Sequence, residues 1–268
     1  ITDSDAVIKT YGTISNPKKE NWESLKGDIE FDHVSFTYKK GEKVLNNFNL
    51  NVKSGESIAL VGATGAGKST IVNLICRFYE PTDGTVKIDG RDYKDRSLAW
   101  LHAHLGYVLQ SPHLFSGNIR ENIRYGRLDA TDSEVEHAAK LVGANTFIES
   151  FKDGYDTEVN EGGARLSVGE KQLISFARAL LADPRILILD EATSSVDTQT
   201  EQRIQQAIET VMEGRTTFII AHRLSTIQDV DQIIVLDHGE IIEKGSHQEL
   251  LRQKGHYFYL YKLQYKDQ

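Results

Sequence analysis

Gly62-Ala63-Thr64-Gly65-Ala66-Gly67-Lys68-Ser69 is the stretch of this sequence that carries the most information about its fold. It matches the pattern G-x-x-x-x-G-K-[ST] at every fixed position. The apolar run 57–61 precedes it and is typical of a strand that is buried on both faces. Apolar residues at helical spacing follow over 69–78. The order strand, glycine-rich turn, helix indicates a phosphate-binding loop.

Each part of this loop has a physical role in holding phosphate. Glycines allow a tight turn whose backbone N–H groups point at phosphate oxygens, and the N-terminus of the next helix adds partial positive charge. Lys68 would place its charge on the β- and γ-phosphates, and Ser69 would offer a hydroxyl to Mg²⁺. The alternative is a glycine turn that merely precedes Lys-Ser, and the strand–loop–helix context argues against it. The residues predicted to bind a nucleoside triphosphate are Gly62, Ala63, Thr64, Gly65, Ala66, Gly67, Lys68, Ser69 and Thr70.

Two adjacent carboxylates, Asp190 and Glu191, follow the apolar run 186–189. In an open α/β sheet, ligands bind beyond the carboxyl ends of the strands, where these two side chains would emerge. Asp190 is therefore predicted to hold Mg²⁺, and Glu191 to orient or deprotonate a water that faces the γ-phosphate. Without the phosphate loop, the helix dipole alone would explain acidic residues at a helix N-terminus. With the loop, they are the expected second half of the site.

The remaining pattern predicts an α/β domain. Apolar strand-like runs at 186–189, 217–220 and 233–236 alternate with helical stretches, which implies a mainly parallel core sheet. The helices are predicted over 130–152, 169–182 and 200–211.

Patterns near the two ends of the chain complete the expected domain. Alternating apolar residues over 29–36 and 48–52 predict a small antiparallel β layer. Asp237-His238-Gly239-Glu240 predicts a hairpin turn. Ser246-His247-Gln248-Glu249 has the spacing of a capping box and should open a C-terminal helix.

The composition is that of a globular protein and limits its partners. Apolar residues make up 39% and charged residues 26%, which excludes a disordered or collagen-like chain. A net charge of −8 argues against non-specific nucleic-acid binding as the main task. The single cysteine, Cys76, cannot form an internal disulfide, which suits a reducing compartment, and it is expected to be a small core residue. Residues 1–27 are polar and aperiodic and are predicted to be a linker from an upstream segment.

A seven-residue stretch between the two nucleotide motifs resembles the LSGGQ signature of the ABC ATPases. It reads Leu166-Ser167-Val168-Gly169-Glu170-Lys171-Gln172. The resemblance covers 28–265, and it is strongest to the nucleotide-binding domain of an ABC exporter. It implies a P-loop NTPase core with a mainly parallel sheet, an antiparallel β subdomain and a helical subdomain at about 105–180. Residues 1–27 would then be the linker from an N-terminal transmembrane domain.

The resemblance also implies roles for residues outside these motifs. Tyr38 matches the aromatic residue on which adenine stacks. Gln110 matches the glutamine that senses Mg²⁺ and touches the membrane domain, and His222 matches the histidine that contacts the γ-phosphate. Three further stretches resemble the D-loop and two exporter segments, namely 194–197, 114–123 and 157–163.

The signature departs from the family pattern at two positions. Ser167 and Gly169, whose hydroxyl and N–H would contact the ATP of a partner domain, are both present. Val168 replaces a glycine, and its β-branched side chain restricts the backbone. Glu170 replaces a glutamine and places negative charge where phosphates would arrive. The chain's own site is complete while its signature is altered, which favours one half of a heterodimeric exporter over an ordinary homodimer.

The resemblance implies an ATPase with Mg²⁺ as cofactor, which powers export by head-to-tail dimerisation with a second ABC domain at the cytoplasmic face of the cell membrane. No nucleic-acid partner is expected.

Two alternatives stay open. Glu191 argues against a dimerisation module with little hydrolysis, and the short interval between the nucleotide motifs, without heptads, argues against a DNA-repair ABC ATPase. His102 and His104 form a pair without a third metal ligand and are interpreted as solvated.

Overall fold

The computed structural model of the chain describes residues 23–38, 41, 43–160, 162–163, 165–190, 198–221 and 223–266. Glu191, the D-loop-like stretch 194–197 and His222 lie outside the described residues, as does most of the predicted linker.

A six-stranded sheet forms the centre of the domain. Its strand order is β12-β11-β3-β10-β9-β6, and all neighbours are parallel except the edge pair β11–β12. The strands of this sheet are β3 (Ser57–Val61), β6 (Leu105–Val108), β9 (Ile186–Asp190), β10 (Thr216–Ile220), β11 (Gln232–Asp237) and β12 (Glu240–Gly245). The apolar runs predicted as buried strands are therefore confirmed, and the fold is α/β with a mainly parallel sheet.

Alternating residues of the core strands face two different hydrophobic layers. In β3, Ile58 and Leu60 belong to the cluster that also holds the helix after the phosphate loop, whereas Ala59 and Val61 belong to the cluster of the later helices. Successive side chains of a strand point to opposite faces, so a strand covered on both sides reads as a continuous apolar run.

A four-stranded antiparallel sheet, in the order β2-β1-β4-β5, covers one side of the core. Its central strand β1 pairs Ile29 with Val52 of β2 and with Ile88 of β4. The strands of this sheet are β1 (Ile29–Thr37), β2 (Lys43–Val52), β4 (Asp83–Ile88) and β5 (Arg91–Asp92), and a separate short pair joins β7 (Gly117–Asn118) to β8 (Glu158–Val159). The predicted antiparallel layer is confirmed.

The helices pack on both sides of the core sheet. Within the described residues they are α1 (Lys68–Ile75), α2 (Leu98–Ala103), α3 (Ile119–Arg124), α4 (Asp132–Leu141), α5 (Asn145–Ile148), α6 (Val168–Ala182), α7 (Thr198–Met212), α8 (His247–Gln253) and α9 (His256–Lys266). The single helix predicted over 130–152 is wrong, since α4 and α5 are separate. Gly143, at φ 70°, ends α4 with the left-handed backbone common at helix C-termini. The hairpin turn at 237–240 and the capping box at 246–249 are confirmed.

Residues 23–27, within the segment predicted as a linker, pack against the domain. Leu25 is 2% exposed, and the indole N–H of Trp100 donates to the carbonyl oxygen of Glu23 at 2.9 Å. The Asp89 carboxylate accepts the backbone N–H groups of residues 26–28 at 2.8–3.0 Å. At the other predicted boundary, β6 lies inside the segment 105–180 but is a strand of the core sheet.

Candidate nucleotide-binding site

The carboxyl ends of four parallel strands meet at one edge of the core sheet. Ile220 of β10 is paired with Leu60 of β3 and with Asp190 of β9. Leu189 is paired with Val108 of β6. These registers place the ends of β3, β6, β9 and β10 side by side. The loop after β3 and Asp190 therefore lie at the same edge, where open α/β sheets bind their ligands.

The loop between β3 and α1 has a backbone that requires glycine at its start. Gly62 has φ 154°, and a Cβ there would lie 2.3 Å from the carbonyl oxygen of Leu236. Gly67, at φ 105°, is the N-cap of α1 and, as a glycine, provides no side-chain cap for this helix. The first N–H groups of a helix have no intrahelical acceptor, so those of α1 can serve a ligand. Residues 63–65 are exposed, which leaves the loop open to solvent.

Lys68 folds back over this loop. Its Nζ donates to the carbonyl oxygens of Gly62 at 2.6 Å and of Ala63 at 2.9 Å. Burial lowers the pKa of Lys68 below its ordinary value, and the negative charge of Asp190 partly offsets this effect. A partly desolvated ammonium held by neutral carbonyl oxygens retains a strong attraction for an anion. The structure therefore brings Lys68 to the edge at which β9 ends.

Ser69 and Thr70, in the first turn of α1, have different surroundings. Ser69 is exposed, whereas Thr70 is 5% exposed and its Oγ1 lies 3.2 Å from the hydroxyl of Tyr38. The Tyr38 ring makes edge-to-face contacts with Phe36 and Tyr79, at centroid distances of 4.7 and 5.3 Å. Tyr38 is thus attached to the helix that follows the phosphate loop. The Thr70 hydroxyl thus has a protein partner in Tyr38, and the nucleotide contact of Thr70 stays a prediction.

Asp190 and Gln110 lie at the ends of neighbouring strands. Asp190 is the half-buried last residue of β9, and Gln110 is exposed just beyond β6. Burial raises the pKa of the nearby Tyr107 to about 12, and the Asp190 charge adds to this shift. The edge thus presents Lys68, Asp190 and Gln110 together.

The signature stretch opens α6 with a capping box. The Ser167 N–H and hydroxyl donate to Oε2 of Glu170 at 2.7 and 2.8 Å, and the Glu170 N–H donates to the Ser167 Oγ at 3.3 Å. Gly169 is buried, and Val168 is 50% exposed. Sequence reasoning treated Glu170 only as an unfavourable charge and missed this pairing. The S-x-x-E spacing would have revealed it, as it did at 246–249.

A groove beside the signature helix contains Arg178, which the sequence did not single out, and Phe115, which lies in the exporter-like stretch 114–123. Arg178 of α6 donates to the carbonyl oxygen of Asn122 at 2.8 Å, and its guanidinium lies over the rings of Phe115 and Tyr125. Phe115 is 40% exposed and Leu109, at the groove wall, is 51% exposed. The sequence pattern does not predict these contacts of Arg178, because the two aromatic rings lie far from it in the chain.

His102 and His104 are each hydrogen-bonded to the backbone through one ring nitrogen. The ring nitrogen Nε2 of His102 lies 2.9 Å from the carbonyl oxygen of Cys76, and Nδ1 of His104 lies 2.8 Å from that of Trp100. Across the described residues, no three His, Cys, Asp or Glu side chains are grouped as metal ligands.

In the same part of the chain, no helix has the length and apolar character needed to cross a membrane.

The fold and the loop define a P-loop nucleotide-binding protein of the α/β class. Residues 45–194 match the ABC transporter family, and the chain belongs to this family. It is therefore an ABC ATPase domain that binds ATP, as the signature and the two nucleotide motifs predicted.

The relatives of this chain are ABC transporter proteins of greater length. It is 59% identical over 240 residues to the "Uncharacterized ABC transporter ATP-binding protein YfiC" of Bacillus subtilis, a match covering 90% of this chain and 40% of that protein. It is 50% identical over 242 residues to the "ATP-dependent lipid A-core flippase" of Legionella pneumophila, covering 90% and 41% respectively. The chain thus spans less than half the length of these relatives.

A solved structure has the same fold. The "Structure of a bacterial Atm1-family ABC exporter with ATP bound" superposes with a TM-score of 0.88 and 43% sequence identity, covering 97% of this chain and 46% of that one. The predicted ABC ATPase fold is confirmed.

Proposed function

We propose that this chain binds and hydrolyses Mg–ATP, and that a longer protein containing it uses this reaction to export a substrate across a membrane. The observation that carries the proposal is the meeting of the phosphate loop, Lys68 and Asp190 at one edge of the core sheet. The relative whose name describes an ATP-dependent flippase supports the transport role.

ATP would be held between the phosphate loop and an aromatic platform. The N–H groups of 62–70 and the charge of Lys68 would bind the phosphates. Adenine would stack on the Tyr38 ring. The hydrogen bond between Tyr38 and Thr70 would join this platform to α1, so one packed unit would set the spacing of base and phosphates.

The oxygen donors at this edge suit Mg²⁺, which prefers hard oxygen ligands. The Ser69 hydroxyl, the Gln110 amide oxygen and the Asp190 carboxylate would hold the ion, which supplies charge neutralisation on the phosphates when bound. Glu191 would orient and deprotonate the attacking water, and His222 would stabilise the charge that develops on the γ-phosphate. The products would be ADP and inorganic phosphate.

A second ABC domain would complete each site in a head-to-tail dimer. Ser167 and Gly169 would reach the ATP bound to the partner domain. The Ser167 hydroxyl of this chain already donates to the Glu170 carboxylate, so an incoming phosphate would compete with a negative charge for the same proton. A signature weakened in this way, beside a complete site of its own, supports pairing with a different ABC domain.

The groove beside α6 would receive the membrane domain at the cytoplasmic face of the membrane. Leu109 and Phe115 give it exposed apolar surface, and Arg178 adds a polar group in its wall. Apolar surface rimmed by polar groups is typical of an interaction site. Residues 1–27 would connect the two domains covalently.

The experiment compares Lys68→Ala and Glu191→Gln in ATP titration and phosphate release. Removing one partner of a charged contact costs about 2–5 kcal/mol, so Lys68→Ala should weaken ATP binding roughly 30-fold or more. Glu191→Gln should bind ATP normally and lose turnover. Lys87→Ala is the matched control. Lys87 lies on the antiparallel sheet, where its ammonium pairs with Glu30 and Asp32.

Each outcome separates the proposal from its alternative. ATP binding by Lys68→Ala at the level of Lys87→Ala would contradict the role of the loop. ATP binding without phosphate release by the unchanged chain, even with a partner domain present, would favour the dimerisation module.

A further inference from the structure

The end of β11 and the turn that joins it to β12 lie against the first residue and the last residues of the phosphate loop. At the start of the loop, a Cβ on Gly62 would lie 2.3 Å from the carbonyl oxygen of Leu236. Near the end of the loop, the Gly239 N–H donates to the carbonyl oxygen of Ala66 at 3.0 Å. At the end, a Cβ on Gly67 would lie 3.6 Å from the Cα of Gly239. The turn therefore contacts the loop on the side away from solvent.

The hydrogen bond to Ala66 answers a requirement of the loop itself. A loop that turns its N–H groups towards phosphate must turn carbonyl oxygens the other way, and buried carbonyl oxygens need donors. Ala66 is 4% exposed. The carbonyl oxygens of Gly62 and Ala63 are bonded to Lys68, whose ammonium would turn to the phosphates in the proposed complex. The Gly239 N–H is a donor that would stay in place.

Gly239 can reach Ala66 because it lacks a side chain. It has φ 79°, and a Cβ there would lie 1.8 Å from the carbonyl oxygen of Val44 in β2. No rotamer change relieves a clash between two backbone segments. A substitution would therefore push the turn away from β2. It would also shift the N–H group of residue 239 that donates to the Ala66 carbonyl oxygen.

We propose that Gly239 is a positioning residue for the nucleotide site, which holds the phosphate loop from behind in its binding conformation. The inference rests on the proposed nucleotide site and extends it to a residue on a distant hairpin. Its effect would be on nucleotide affinity, because a molecule whose loop is misplaced must first recover the binding conformation.

Gly90 provides a matched control. It lies in the turn between β4 and β5, where Asp89 and Gly90 have φ 49° and 73°, close to the 47° and 79° of His238 and Gly239. A Cβ on Gly90 would have no heavy atom within 4 Å. Alanine at either position carries a similar left-handed backbone strain, and only Gly239 touches the loop.

The first test measures ADP affinity and thermal unfolding of the unchanged chain, Gly239→Ala and Gly90→Ala. Mg–ADP is used because it is not consumed. If the binding conformation falls to about one tenth of the molecules, the Kd of Gly239→Ala rises tenfold. Gly90→Ala should keep the Kd of the unchanged chain. Equal affinities of the two variants would overturn the inference alone, whereas an unchanged chain that does not bind ADP would overturn the proposed function as well.

The second test needs no variant and applies even where Gly239→Ala does not fold. Labelling with ¹⁵N-glycine makes the exchange of the Gly239 and Gly245 amides measurable, Gly245 being at the far end of the same hairpin. Some openings that expose an amide to exchange require ADP to leave first. ADP at 100 times its Kd should slow exchange through such openings by up to about 100-fold. Greater slowing at Gly239 than at Gly245 supports the inference, and equal slowing, or none at either, would overturn it.

Discussion

Replacing Glu170 with glutamine should strengthen the ATP-dependent association of this chain. In the capping box, the Ser167 hydroxyl donates to the Glu170 carboxylate at 2.8 Å, and the Ser167 N–H donates to the same oxygen at 2.7 Å. Both bonds have a carboxylate as their acceptor, which makes them stronger than bonds to a neutral oxygen. Glutamine keeps the capping geometry, because an amide oxygen also accepts at this position of a capping box.

The size of the effect follows from the strength of the bond that must be exchanged. A hydrogen bond to a charged group contributes about 1.5–3 kcal/mol and a neutral one about 0.5–1.5 kcal/mol, a difference of about 1 kcal/mol per signature. A symmetric dimer has two signatures, so the gain is about 2 kcal/mol, or roughly 30-fold in the association constant. Repulsion between the carboxylate and the phosphates acts in the same direction.

The assay is light scattering or sedimentation with Mg–ATP, in a Glu191→Gln background that blocks hydrolysis. Glu249→Gln is the matched control, since the Ser246 N–H and hydroxyl both donate to Oε2 of Glu249 at 2.9 Å in an equivalent capping box. This control changes the net charge by the same amount at a helix far along the chain. It should leave the association constant unchanged.

Equal association of Glu170→Gln and Glu249→Gln would contradict this prediction. The Glu170 carboxylate would then not be what weakens the contact of the signature with ATP. Of the two departures from the family pattern, crowding by Val168 would remain as the explanation. A gain at Glu170→Gln alone would support a signature that is weakened by its own cap.

Two further outcomes follow from buried polar groups. Burial raises the pKa of the Cys76 thiol to about 12, so a thiol reagent at pH 8 should modify Cys76 only in molecules that have unfolded. Reaction in native buffer as fast as in urea would contradict the burial. Arg77 is fully buried and donates to the carbonyl oxygens of Tyr93 and Arg96 at 2.9 Å, so Arg77→Met should lower the free energy of unfolding in urea by about 3–5 kcal/mol. The control Arg91→Met, at a side chain that is 71% exposed, should change it by less than about 1 kcal/mol, and equal losses would disprove the role of burial.

The sequence predicted most of the elements because their signals are local. The loop 62–69, the apolar runs of β3, β9, β10 and β11, and the capping box at 246–249 each depend on residues close together in the chain. Such patterns reflect backbone sterics and burial on one face or two, and these act over a few residues. The class of fold followed from their order.

Errors and omissions occur where distant residues decide. The helix predicted over 130–152 is interrupted at Gly143, whose role as a helix end depends on a left-handed backbone that the composition did not reveal. The contacts of residues 23–27 with Trp100 and Asp89 have no local signal either, because both partners lie more than 60 residues further along the chain.

Sequence alone reveals the phosphate loop, the two carboxylates after a buried strand and the signature of the ABC family, because each is a contiguous motif. Which of these groups meet depends on how the chain folds. The register of parallel strands brings Asp190 to the edge occupied by Lys68, and a close backbone approach places Gly239 behind Ala66. Such contacts depend on packing between segments far apart in the chain, which no local pattern encodes.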